Sequence, residues 1–220
     1  LCNIDQTTKR SSLKIVQQKL VLATRNKGKL VEFRRILDSL APGEINLVGV
    51  DEFADLVDVE ETGATFEENA LLKARYTASA TGLPAISDDS GLCVDFLNGD
   101  PGIYSARWAG THGNDQANLE KLLLELKDVG DDKRTAHFTC VAALAMPDGR
   151  SHVEEGLFHG HILHAAVGQE GFGYDPIFQP LGMSISSAQM SPQEKDAISH
   201  RGKALRLIAP HVIQMLRSLG

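Results

Sequence analysis

The longest regular pattern in the chain is "TAHFTCVAALAMPDGRSHVEEGLFHGHI", residues 135–162. Apolar residues recur at every second position, at Phe138, Cys140, Ala142, Leu144 and Met146, which is the period of an extended strand. Pro147-Asp148-Gly149 then supplies turn chemistry, and alternation resumes after it. The pattern predicts a long antiparallel hairpin, so the fold is built on a sheet.

Helical signals surround that hairpin. "KLVLATRNKGK", from Lys19, opens with an apolar run, Leu20 to Ala23, and breaks into polar and glycine residues. Leu30, Phe33, Leu37 and Leu40 follow at steps of three and four, before Pro42-Gly43. That order reads as strand, loop and amphipathic helix. "INLVGV" reads as a second strand. "TFEENALLKARYTASATG" opens with a capping box, Thr65 with Glu68, buries Phe66, Ala70, Ala74 and Ala78, and stops at Gly82. "LPAIS" reads as a short third strand ending at Asp88-Asp89. "NDQANLEKLLLELKDVG" predicts a helix with Leu119, Leu122, Leu123 and Leu126 inward. "SPQEKDAISHRGKAL" offers Ser191 as N-cap, Pro192 at the first helical position and Glu194 as box acid, with the helix restarting near Gly202. The expected fold is α/β: an elongated, mixed, twisted sheet flanked by helices, with two lobes and a central cleft. Residues 19–220 form one domain after a polar extension at 1–18.

A net charge of -7 argues against a chain that coats nucleic acid, because phosphate backbones demand a basic face. It leaves room for a small phosphorylated ligand held by a local basic pocket. The three cysteines, Cys2, Cys93 and Cys140, are far apart and form no C-x-x-C, which fits reduced thiols and a cytoplasmic setting. No apolar run approaches the roughly 18 residues of a membrane span.

Four stretches can carry chemistry. "TRNKGK", Thr24 to Lys29, lies at a strand-to-helix turn, where free amides and the helix dipole attract anions. Thr24, Asn26 and Lys29 add side-chain donors, and Gly28 lets backbone approach. Glu60-Glu61 and Asp88-Asp89 offer hard oxygen ligands, and Mg²⁺ needs only one or two carboxylates when phosphates supply the rest. "GFGYDPIF", from Gly171, sets tight backbone beside aromatic faces, which suits a stacked base or a rigid turn. "EKDAISHRGKAL" gathers Lys195, His200 and Arg201 at a helix junction. The histidines of "HGHILH", His159, His161 and His164, resemble a metal cluster. On a strand, however, the first two share a face and the third does not, and no acid or cysteine completes a tetrahedral set. The single tryptophan, Trp108, reads as core or cleft wall.

Together these segments, with "EETGATFEENALLKA", "PAISDDSGLCVD" and "PGIYSARWAG", closely resemble in content and order the ITPase family, the noncanonical purine nucleoside triphosphate pyrophosphatases. The likeness covers roughly residues 19 to 218. One departure is Ala166-Val167, where many members carry a proline. The resemblance implies a homodimer, with the active site between lobes, that hydrolyses ITP, dITP and XTP to monophosphate and pyrophosphate with Mg²⁺. It implies that Thr24, Arg25, Asn26, Lys27, Gly28, Lys29 and Lys73 hold phosphates, and that Glu61 and Asp89 hold the metal. Asp89 is also the implied proton acceptor. Ser90, Phe172, Gly173, Tyr174, Asp175, Lys195, His200 and Arg201 would line the nucleotide pocket. Which carboxylate of each adjacent pair meets the metal stays open on the sequence.

Overall fold

The computed structural model describes residues 18–218. The expected polar extension, Cys2 included, lies almost wholly outside them. Six strands form one mixed sheet: β1 (Gln18–Leu22), β2 (Ile45–Gly49), β3 (Ala85–Val94), β4 (Thr135–Ala145), β5 (Ser151–Ile162) and β6 (Phe178–Pro180). Their order is β2-β1-β3-β4-β5-β6. β1 is parallel to β2 and β3, and the remaining pairs are antiparallel. The described residues also form five α-helices: α1 (Lys27–Leu40), α2 (Phe66–Thr81), α3 (Asp115–Glu125), α4 (Pro192–Ile198) and α5 (His200–Arg217). The expected α/β class is borne out.

The hairpin forms as predicted, with Ala145 paired to Ser151 across its turn. Both faces of β4 are covered over most of its length. Cys140, Ala142 and Leu144 pack beneath α1 and α5, while Val141, Ala143 and Ala145 pack beneath α2. Small residues on the second face let that helix lie close, so Thr139 to Ala145 are all buried.

The capping signals act as read, with one change. Thr65 caps α2 by accepting from the amide of Glu68 at 3.1 Å, and Gly82 ends the helix with φ 67°. Glu68 reaches one residue too far for a box, accepting from the Ala64 amide at 2.6 Å. The box at Ser191 and Glu194 is complete. The last helix restarts at His200, two residues before Gly202, because Ser199 caps it by accepting from the Gly202 amide at 3.1 Å. Within α3, Leu119, Leu122 and Leu126 turn inward as expected, and Leu123 packs at the edge of the same cluster.

The placement of α1 and α2 positions the site. The α1 crossover lies on one face of the sheet and the α2 crossover on the other. The chain therefore switches sides between β1 and β3. Open α/β sheets bind ligands outside strand carboxyl ends at such a point. β1 meets β3 only at Ala85 and Ile86, at the start of that strand, and then leaves. Among the described residues no further strand pairs with that edge of β3 beyond Ile86, apart from an isolated bridge between Cys93 and Pro101, and a cleft opens there.

Candidate active site

β3 does not end at the aspartates, as the short strand predicted for "LPAIS" would have it. It runs ten residues, straight through them. Successive side chains on a strand point to opposite faces. Asp88 therefore joins the face under α1 and α5, and Asp89 the face under α2.

Asp88 is sealed. Its side chain has no exposed surface, and Lys29 Nζ lies 2.9 Å from Oδ1. Arg201 donates to Oδ2 through Nε at 3.2 Å and Nη2 at 3.1 Å. Burial alone would raise the carboxyl pKa, but Lys29 and Arg201 hold it far below the usual range. Arg201 is itself buried and donates through Nη1 to Glu32 at 2.5 Å. Its guanidinium is thus locked between two carboxylates, one from α1 and one from β3.

Asp89 faces the cleft. Lys73 Nζ donates to its Oδ1 at 3.0 Å and to Glu61 Oε1 at 2.7 Å. Asn69, fully buried, donates to Asp89 Oδ2 at 3.3 Å and accepts from the Gly63 amide at 2.8 Å. Asn69 thereby ties the loop carrying Glu61 to the strand carrying Asp89. Burial and the nearby Glu61 outweigh Lys73 and raise the Asp89 pKa, whereas Lys73, acting against burial, lowers that of Glu61. One carboxylate is thus the better proton acceptor and the other the more firmly ionised. Both reach a single point now held by the Lys73 ammonium, a convergent oxygen pair that fits a hard divalent cation. Glu60 lines the cleft but is exposed and shares no such point.

The cleft has a volume of about 930 Å³. Thr24, Arg25, Asn26, Gly28, Lys29, Glu61, Lys73, Asp89, Ser90, Phe172, Gly173, Tyr174, Asp175, Lys195, His200 and Arg201 all border it, as the sequence reading requires of a shared site. Lys27 does not; it stands exposed on the first turn of α1. Arg25 borders the cleft, but its guanidinium is engaged by Asp58 at 2.7 Å and Asp51 at 2.9 Å. Asn26 caps α1 by accepting from the Lys29 amide at 3.0 Å, which keeps the helix start and Lys29 at the cleft floor.

The other wall is the glycine turn. Asp175 accepts from the Phe172 amide at 2.9 Å and pairs with Lys195. Tyr174 turns inward and donates to the Ser105 carbonyl at 2.9 Å. Phe172 stays exposed, its ring 5.2 Å from Lys195 Nζ and 5.8 Å from the Arg201 guanidinium carbon. His200 is buried and stacked on Phe138 at 4.8 Å. Burial, with Arg201 and Lys195 beside it, depresses its pKa well below the ordinary value, so it is neutral at pH 7. Backbone packs tightly at Gly91: a Cβ there would meet the Gly102 carbonyl oxygen at 2.2 Å.

Sequence reasoning missed Glu32, Asn69 and Arg107. Arg107 borders the cleft 3.5 Å from Glu61. Glu32 and Asn69 sit inside ordinary helical patterns, and a polar residue at an inward helical position was the one signal for them. Trp108 forms no cleft wall; it is a half-buried platform with Lys121 Nζ 3.9 Å from its ring centroid. Cys93 and Cys140 are free thiols, and burial pushes Cys140 up to about 12. No helix among the described residues is long and apolar enough to cross a membrane.

Comparison with known proteins places the whole described domain in one family. The Ham1 family model matches residues 20–211. A dITP/XTP pyrophosphatase of Streptomyces coelicolor is 57% identical over 199 residues, covering 90% of this chain and 98% of its own. The structure of a HAM1 protein from Coxiella burnetii superposes with TM-score 0.81 at 40% identity, covering 90% of this chain and all of the other. That of the nucleoside-triphosphatase, or dITP/XTP pyrophosphatase, of Mycobacterium abscessus gives 0.72 at 47% identity, over 88% and 100%.

Proposed function

The chain belongs to the Ham1 family, and from that premise we propose that it hydrolyses dITP, ITP and XTP to the nucleoside monophosphate and pyrophosphate, clearing deaminated purines from the nucleotide pool. The observation that carries this reading is the division of labour in the cleft. Asp89 and Glu61 converge on one cation position, the α1 start and Lys29 lie beside them, and an exposed aromatic ring faces two cationic groups on the opposite wall.

In this reading Glu61 and Asp89 would hold Mg²⁺, which would supply charge neutralisation on the phosphates. Lys29, Lys73 and the open amides at the start of α1 bind the triphosphate. Asp89, with its raised pKa, positions the attacking water and accepts its proton. The water oxygen bonds to the α-phosphorus, the bond from that phosphorus to the bridging oxygen breaks, and pyrophosphate leaves. Phe172 stacks on the base. Arg201 and neighbouring amides donate to the C6 oxygen of hypoxanthine or xanthine. Adenine would set its amino donor against those donors, and buried unpaired donors are costly. The enzyme acts as a homodimer in the cytoplasm, as the family resemblance implies.

The test is a panel of ITP, XTP, dITP, GTP, ATP, TTP and UTP with Mg²⁺, products separated by ion exchange. Monophosphate and pyrophosphate from the first three, with ATP and GTP nearly untouched, is the expected result. Preference for TTP or UTP, or release of orthophosphate, would overturn it.

A further inference from the structure

Away from the cleft, two histidines and a glutamate converge between β5 and α5. Strand alternation puts His152, Glu154 and Gly156 on the face of β5 turned toward α5. Gly156 brings the helix close: a Cβ there would lie 2.1 Å from the His200 carbonyl oxygen and 2.6 Å from the Ala204 amide nitrogen. From that contact the helix runs back along the strand. His200, Ala204, Ile208 and His211 follow at steps of four, four and three, so they share one side of it. His211 lies roughly 16 Å along the axis from His200, at 1.5 Å per residue. It comes down beside His152 and Glu154.

The three side chains lie close together. His152 Nε2 is 2.8 Å from Glu154 Oε1, and His211 Nε2 is 3.8 Å from the same oxygen. The two imidazoles stack at 3.6 Å with 25° between their planes. One ligand atom from each residue lies within 4.8 Å of the other two. A tetrahedral ion with bonds of about 2.0–2.2 Å holds its ligands about 3.4 Å apart and lies in the plane of each imidazole, so His211 has to swing off the His152 ring for the set to close. A hydrogen bond to Glu154 accounts for His152 alone. His211 is too distant for such a bond; it stacks on the His152 ring with its Nε2 3.8 Å from the same oxygen. None of the three residues borders the cleft.

We propose that His152, Glu154 and His211 form a site for a divalent transition cation of the Zn²⁺ type, with water as fourth ligand, that clasps the later turns of α5 onto β5. Two imidazole nitrogens and one carboxylate oxygen suit zinc, nickel or copper, whereas the all-oxygen pair in the cleft suits Mg²⁺. The site is therefore separate from catalysis.

The test uses full-length protein with Cys2→Ser and Cys93→Ser, stripped with chelator and titrated with Zn²⁺ in excess Mg²⁺ against a chromophoric chelator. One equivalent is expected. It is lost in His211→Gln and in Glu154→Gln but kept in Glu61→Gln. The Tm rises with Zn²⁺ in the parent and not in His211→Gln, whose Mg²⁺-supported turnover stays within twofold of the parent. Far-UV circular dichroism checks each fold, and His152→Gln replaces any variant that fails it. No bound equivalent in the parent, or an undiminished one in the His211 and Glu154 variants, would overturn the site.

Discussion

Asp88 and Asp89 are adjacent in the chain, yet each meets its own lysine on an opposite face of β3: Lys29 at 2.9 Å from Asp88 and Lys73 at 3.0 Å from Asp89. The strand's pleat removes most of the cost of placing two like charges together. It also gives them different environments, one sealed beside Arg201 and one open to the cleft.

The two carboxylates should therefore fail differently when neutralised. Asp89→Asn is expected to keep the fold, with Tm near that of the parent, and to lose about 10²–10⁴ in turnover, the usual share of a general base. Asp88→Asn leaves Lys29 without its buried partner and Arg201 with Glu32 alone. It should cost about 3–5 kcal/mol of stability, the scale of a broken buried ion pair. Thermal melts beside steady-state rates with ITP decide it. Equal losses of Tm in both variants would contradict the division.

In the proposed function Arg201 connects stability to base choice. Its fork donates to Glu32 on one side and Asp88 on the other while bordering the cleft. Lysine keeps the charge but cannot reproduce that fork. Arg201→Lys should raise KM for ITP about 10-fold or more, the scale of one lost charge-assisted hydrogen bond. Inhibition by inorganic tripolyphosphate should weaken much less. Equal weakening of both would put Arg201 on the phosphates instead of the base.

Much of this was legible in the sequence because local rules sufficed. The hairpin declared itself through Phe138 to Met146, and the helix starts through Thr65 and Ser191. Asp88-Asp89 stood out as a doublet, but a strand ending there was the wrong inference, because charged residues were taken as a stop. Partners 113 and 169 residues away, Arg201 for Asp88 and for Glu32, let the strand continue. Lys27 and Arg25 were drawn in with the rest of "TRNKGK", since spacing does not say which side chains of a loop face a cleft. The His152, Glu154 and His211 group was hidden for the same reason: the third residue comes from a different element, while the more conspicuous "HGHILH" is dispersed. His159 rests on His137 at 5.5 Å, and His164 pairs with Asp131 at 2.6 Å.

His200 predicts a pH dependence. Its depressed pKa means that the folded state does not take a proton where the unfolded chain does, near pH 6.5. Stability from this group is thus present above pH 6.5 and is lost as pH falls below it. The loss amounts to roughly 1 kcal/mol between pH 6.5 and 5.5 for one proton. His200→Phe, which retains a ring to stack on Phe138, should remove that part of the slope. Urea unfolding of both proteins at pH 7.0, 6.5 and 5.5 measures it, and parallel curves would mean that His200 titrates normally.

Gly156 holds the start of α5 against β5, and α5 in turn presents His200 and Arg201 to the cleft. An added methyl would meet the His200 carbonyl oxygen and the Ala204 amide nitrogen, both backbone, so the helix itself must move. Gly156→Ala should lose about 1–3 kcal/mol of stability, as overpacked sites do, and kcat/KM for ITP should fall with it. Gly149→Ala is the control. That glycine, in the hairpin turn, has φ 92° with nothing near its missing Cβ, so alanine strains the turn without touching α5. It should lower Tm while leaving kcat/KM within twofold. If both variants lost stability but neither lost activity, the seating of α5 on Gly156 would have no part in positioning Arg201.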